Sequence, residues 1–127
     1  MREKKLTYLL FILLISFNIN AQNTRFDSLI TIGIEQIYNL QYSAAESTFK
    51  VVAKDYPKSA AGLFFDAMIV WWKIMPDLMN ERYDDILIDK LENTIDYCDE
   101  LLEKNPNNSE ALFFKGGALG FRGRLYI

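Results

Sequence analysis

A chain of 127 residues, half of them hydrophobic, is long enough to build one small domain around its own core. It has no histidine and a single cysteine, Cys98, so the commonest general base and metal ligand are missing and no intramolecular disulfide can form. Its net charge of −3 disfavours nucleic acid and anionic lipid surfaces, since both require a basic footprint.

The first 21 residues read as a secretory signal peptide. Arg2, Lys4 and Lys5 give a basic start, residues 6–17 form a short apolar run, and Ala21 supplies a small residue at the exit. The run is shorter than the ~20 residues a spanning helix needs. Cleavage after Ala21 is therefore expected, leaving an exported chain, periplasmic or secreted, with no stable membrane span. An uncleaved signal acting as a membrane anchor is the alternative. Residues 22–127 hold sixteen carboxylates and eleven cations, a net charge of −5.

Beyond the signal the apolar spacing is helical throughout, and no stretch alternates with the period of a strand. About five helices are expected. In the first, over 26–38, Phe26, Leu29, Ile30, Gly33, Ile34, Ile37 and Tyr38 share one face, and Thr24 with Asp27 has capping-box spacing. The second, over 43–55, repeats that spacing in Ser43 and Glu46 and turns Ala45, Phe49, Val52 and Tyr56 inward. Pro57 ends it by lacking an amide donor. The third, over 59–74, is apolar nearly all round, which predicts burial on several sides. Asp66 and Lys73 are its only charges between Leu63 and Met75. Pro76 breaks it. The fourth, over 81–104, faces Leu87, Ile88, Leu91, Ile95, Cys98 and Leu102 inward. Asn105 to Asn108 spell "NPNN", a turn, and the fifth helix runs from Ser109 to about Arg122.

The chain repeats at a shift of forty-nine. Pro57 meets Pro106, Leu63 meets Leu112, Phe64 meets Phe113 and Phe65 meets Phe114. Upstream, Ala45 meets Thr94, Phe49 meets Cys98 and Val52 meets Leu101. With Leu29, Ile32 and Gly33 followed by Tyr42, Ala45, Phe49 and Pro57, the pattern resembles the tetratricopeptide repeat. The resemblance implies an all-α helix-turn-helix solenoid over 22–127, with units at about 24–57, 58–106 and 107–127. Such units recur about every 34 residues. The surplus falls within 73–90 and lengthens the middle unit's loop and second helix. The third unit reaches Ile127 where its second helix would begin, so a fragment of a longer repeat protein is expected.

In tetratricopeptide proteins the first helices of successive units line a concave groove that holds a partner peptide. The matching positions are Ile30, Ile34, Tyr38, Phe64, Met68, Trp71, Trp72, Phe113 and Phe121. Whether these aromatics line a groove or fill the core stays open at this point. They offer no Lys, Arg or Asn, as a carboxylate clamp would, so the groove suits an apolar segment. On the fourth helix Asp85, Asp89, Glu92, Asp96, Asp99 and Glu103 form an acidic stripe. It reads either as a solvated face relieved by Lys90 and Lys104 or as a docking face for a basic partner. Gly116, Gly117, Gly120 and Gly123 follow no strand, so a phosphate loop is not expected; Gly116 and Gly120 would allow close helix approach and Gly123 would end the helix. Cys98 takes Phe49's place in the repeat and reads as core. The expectation is a non-enzymatic scaffold, without cofactor or metal, that binds a protein or peptide. The alternatives are a carrier for a lipid-like ligand and an accessory module of a larger protein.

Overall fold

The computed structural model describes residues 2–126, and the side chains of 13–23 lie outside the description. The proposed cleavage point at Ala21 falls there, as does the later half of the apolar run. Five α-helices follow one another: α1 (Arg2–Tyr38), α2 (Tyr42–Asp55), α3 (Ala61–Ile74), α4 (Asp84–Lys104) and α5 (Ser109–Arg124). A 3-10 turn at Glu81–Tyr83 leads into α4. The described chain is all-α. Each helix packs on the next in sequence, as short connections require, and α1 and α5 each also touch α3. Among the described residues no helix is long and apolar enough to cross a membrane.

Two expected helix starts are corrected. α1 is continuous through Thr24, because nothing upstream of it breaks a helix and a capping box acts only where the backbone leaves the helical region. α2 begins at Tyr42, which puts Ser43 inside the helix, and its N-cap Gln41 makes no side-chain cap. Glu46 is drawn to Lys50 instead, at 2.9 Å. Smaller shifts occur elsewhere. Ser59 precedes α3 and its Oγ accepts from the Ala61 amide at 3.1 Å, while Asn80 accepts from the Arg82 amide to start the 3-10 turn. α5 continues past Gly123 to Arg124.

The turn from α1 to α2 closes by two bonds, Gln41 N–H to Gln36 O and Leu40 N–H to Ile37 O. That is the Schellman pattern, and its left-handed position is filled by Leu40 at φ 60° where glycine is usual. The "NPNN" turn is tied by Asn105, whose carbonyl and side chain take the Asn108 and Asn107 amides, and Asn108 caps α5 at the Ala111 amide.

The core follows from the helical faces. Ala45, Phe49 and Val52 of α2 are buried, as are Leu87, Leu91, Thr94, Ile95 and Cys98 of α4. α3 is buried on several sides, from Ala61 to Ile74, because it alone touches all four other helices. Its two charges sit at its margins. Lys90 of α4 donates to Asp66, and Lys73 lies 5.5 Å from the Tyr42 ring centre. Close approach uses other glycines than expected. A Cβ at Gly33 would lie 2.3 Å from the Phe49 ring, one at Gly62 would lie 2.6 Å from the Ala53 amide nitrogen, and one at Gly117 would touch Phe64 at 3.0 Å. At Gly116, Gly120 and Gly123 it would meet nothing within 4 Å, because these three positions face away from α4.

Cys98 is fully buried between α4 and its neighbours, and burial first, then Asp99, pushes its thiol up to about 11. An aromatic disulfide reagent at pH 8 should leave the native chain unlabelled and label it once in denaturant. The thiolate forms more readily in the unfolded chain, whose thiol keeps the ordinary value of 9.0. This group's stabilising contribution is therefore whole below pH 9 and is lost as pH rises towards 11.

Candidate functional site

The groove is built from one face each of α1, α3 and α5. Phe26, Ile30, Ile34 and Tyr38 step along α1 at intervals of four, which keeps them on one stripe. On α3, Phe65, Met68 and Trp72 step by three and four. Phe113 and Phe114 come from the first turns of α5. Two cavities result. The larger, 440 Å³, lies between the Phe26 and Ile30 side of α1 and the Phe113 and Phe114 side of α5, with Ala61 and Phe65 beneath and Ser109 and Glu110 at its mouth. The smaller, 200 Å³, is lined by Ile34, Ile37, Tyr38, Phe65, Met68 and Trp72. Phe65 lines both, so the two form successive compartments over α3. Among the described residues Glu110 is the only charged one in either lining.

Ring packing fixes the walls. Tyr38 meets Trp72 edge-on at 5.2 Å, and Phe65 stacks on Phe49 at 5.3 Å, which anchors the shared ring to α2. Tyr38 and Phe113 remain 67% and 71% exposed at opposite ends of the trough.

The nine expected groove residues divide. Ile30 and Phe113 line the larger cavity, and Ile34, Tyr38, Met68 and Trp72 line the smaller. Phe64 and Trp71 turn towards α5 instead. Phe64 packs on Phe114 at 5.2 Å, and Trp71 packs on Phe121 at 5.2 Å beneath the Arg124 guanidinium. Those three side chains, Phe64, Trp71 and Phe121, make the α3–α5 seam and do not line the two compartments. The repeat shift pairs Phe64 with Phe113 and so selects the wrong member of the Phe64–Phe65 pair. The spacing of Phe65, Met68 and Trp72 identifies the wall without the shift, and Phe26 is found by stepping back four from Ile30.

The acidic stripe lies on α4 and lines neither compartment. Asp85, Asp89, Glu92, Asp96 and Glu103 are exposed, whereas Asp99 is half-buried and accepts from Lys115 of α5 at 2.5 Å. Lys90 does not relieve the stripe, because it is committed to Asp66. Among the described residues no group of His, Cys, Asp and Glu is arranged to hold a metal ion. No family model, curated protein or solved structure matches the chain.

Proposed function

We propose that the chain is a non-enzymatic interaction scaffold of the cell envelope, built from tetratricopeptide-like units, that holds an apolar segment of a partner protein in the trough over α3. One observation carries this reading. Two neighbouring compartments that share Phe65 present aliphatic and aromatic walls with, among the described residues, a single charged one at one mouth, and such walls gain free energy by excluding water from an apolar segment. The exposed ring of Tyr38 and the half-buried ring of Trp72 offer the anchor type that dominates binding energy at interfaces. Export to the envelope rests on the basic start and apolar run of the first 21 residues.

Affinity capture from envelope extracts tests it. The parent chain and a Leu112→Glu variant, altered outside the trough, should retain the same partner. An Ile34→Glu variant that melts within a few degrees of the parent should lose at least about nine-tenths of it, since a buried unpaired carboxylate is costly. Equal capture by all three chains refutes the trough. Native mass spectrometry of the same preparations should show no retained lipid, and a stoichiometric lipid would favour a carrier.

A further inference from the structure

The walls of the trough restrict the shape of what they hold. Between Ser109 and Glu110 at one end and Tyr38 and Trp72 at the other, the described lining holds only apolar side chains. Between those ends the wall backbone is helical, with its amides and carbonyls bonded to one another. An extended segment laid there would bury its own amides and carbonyls without partners, which is costly at each group. A helix arrives with its backbone already bonded. Spacing agrees with a helix. From one compartment's lining to the next is about eight residues along α1 and about five along α3, roughly 8–12 Å. Side chains seven apart on a helix stand about 10 Å apart on one side, one for each compartment.

Charge selects the residues beside those anchors. The α1 stripe of Phe26, Ile30, Ile34 and Tyr38 has α2 on one flank, where Gly33 meets Phe49 and Ile37 is buried. On the other flank stand Asp27, Thr31 and Glu35, each one residue past the stripe and exposed. Among the described residues neither carboxylate has an ion-pair partner. Beyond Phe26, at the adjoining cavity, Lys58 stands with Glu110, and Arg25 holds Asp55 at 2.9 Å, so charge there balances. The acidic excess therefore runs along the α1 edge, over about 12 Å from Asp27 to Glu35. We propose, on the strength of the trough reading, that the segment held is a basic amphipathic helix of the partner. Two large apolar residues seven apart fill the compartments on either side of Phe65. The lysines or arginines beside them face Asp27 and Glu35.

Fluorescence anisotropy of the full chain with a synthetic peptide tests it, at about 0.1 M salt. The probe is a labelled helix of about 18 alanines and lysines with two phenylalanines seven apart. Saturable binding is expected, abolished by Ile34→Glu. Moving one phenylalanine to a spacing of nine puts it on the opposite side of the helix and should weaken binding at least about tenfold. Exchanging every lysine of the peptide for glutamate should do the same. Asp27→Lys with Glu35→Lys should reverse that preference. Asp89→Lys with Asp96→Lys on α4 changes the net charge equally and should leave binding within about twofold. Thermal melts show that each variant is folded. Binding that Ile34→Glu blocks but that ignores spacing or peptide charge overturns the helix and leaves the trough standing. No peptide binding, with a partner still captured through the trough, has the same meaning. Binding that survives Ile34→Glu, or that falls equally with the α4 exchange, overturns the proposal as attraction elsewhere on an acidic chain. Absence of both peptide binding and partner capture overturns the trough as well.

Discussion

Replacing Gly62 with valine should lower the stability of the chain by about 3 kcal/mol or more, the largest effect expected of any single substitution on α3. A Cβ there would lie 2.6 Å from the Ala53 nitrogen, 2.8 Å from the Phe49 carbonyl oxygen and 2.9 Å from the Ala53 Cα. All three atoms are backbone of α2. No side chain can swing aside, so relief requires α3 to move away from α2 along their whole contact. For a domain of this size the midpoint of thermal unfolding should fall by roughly 15 °C. Gly123→Ala is the matched control. Its Cβ would meet nothing within 4 Å, so it removes only the glycine penalty of a helix and should raise stability by up to about 0.8 kcal/mol. A melting curve for Gly62→Val that overlays the parent's would mean that α2 and α3 are not in backbone contact.

The second large effect centres on Phe49. Its ring is 1% exposed, stacks on Phe65 at 5.3 Å and occupies the space above Gly33. Truncation to alanine should cost about 3–5 kcal/mol, as buried phenylalanines do. The more informative experiment pairs it with Gly33→Ala. In the parent, an added methyl would sit 2.3 Å from the tip of a ring that is wedged and cannot turn, so Gly33→Ala should cost about 2 kcal/mol. With Phe49→Ala present the same methyl enters the vacated space and should be neutral or favourable. The double-mutant coupling should be about 2 kcal/mol by denaturant unfolding. Additive effects would show that Gly33 and Phe49 do not touch.

Much of the helical architecture was legible because helices announce themselves by period. Ala45, Phe49 and Val52, or Leu87, Leu91, Ile95 and Cys98, recur at three and four, and the structure buries all of them. Helix starts were less legible. A Ser or Thr three residues before a carboxylate occurs by chance in a chain this acidic, and neither Thr24 with Asp27 nor Ser43 with Glu46 marks a helix start. The trough was half legible, for a reason that also explains the glycines. A repeat shift reveals which residues are equivalent but not how many neighbours each has. Phe64 is buried because helices flank α3 on both sides, while its counterpart Phe113 lies on a helix with one open side. Gly33 seats an aromatic ring, whereas Gly116, on the open side of α5, seats nothing.

Packing concentrated between helices adjacent in sequence has a consequence for how this chain folds and opens. Few contacts join residues distant in sequence, so little loop-closure entropy must be lost before native contacts form, and folding belongs to the microsecond-to-millisecond range of helical proteins. The same economy makes opening progressive. Losing α5 sacrifices its seams with α4 and α3, and losing the 24–38 stretch of α1 sacrifices those with α2 and α3, yet either leaves a helical pair standing around α3. The chain behaves as a short zipper whose last tooth to release is α3.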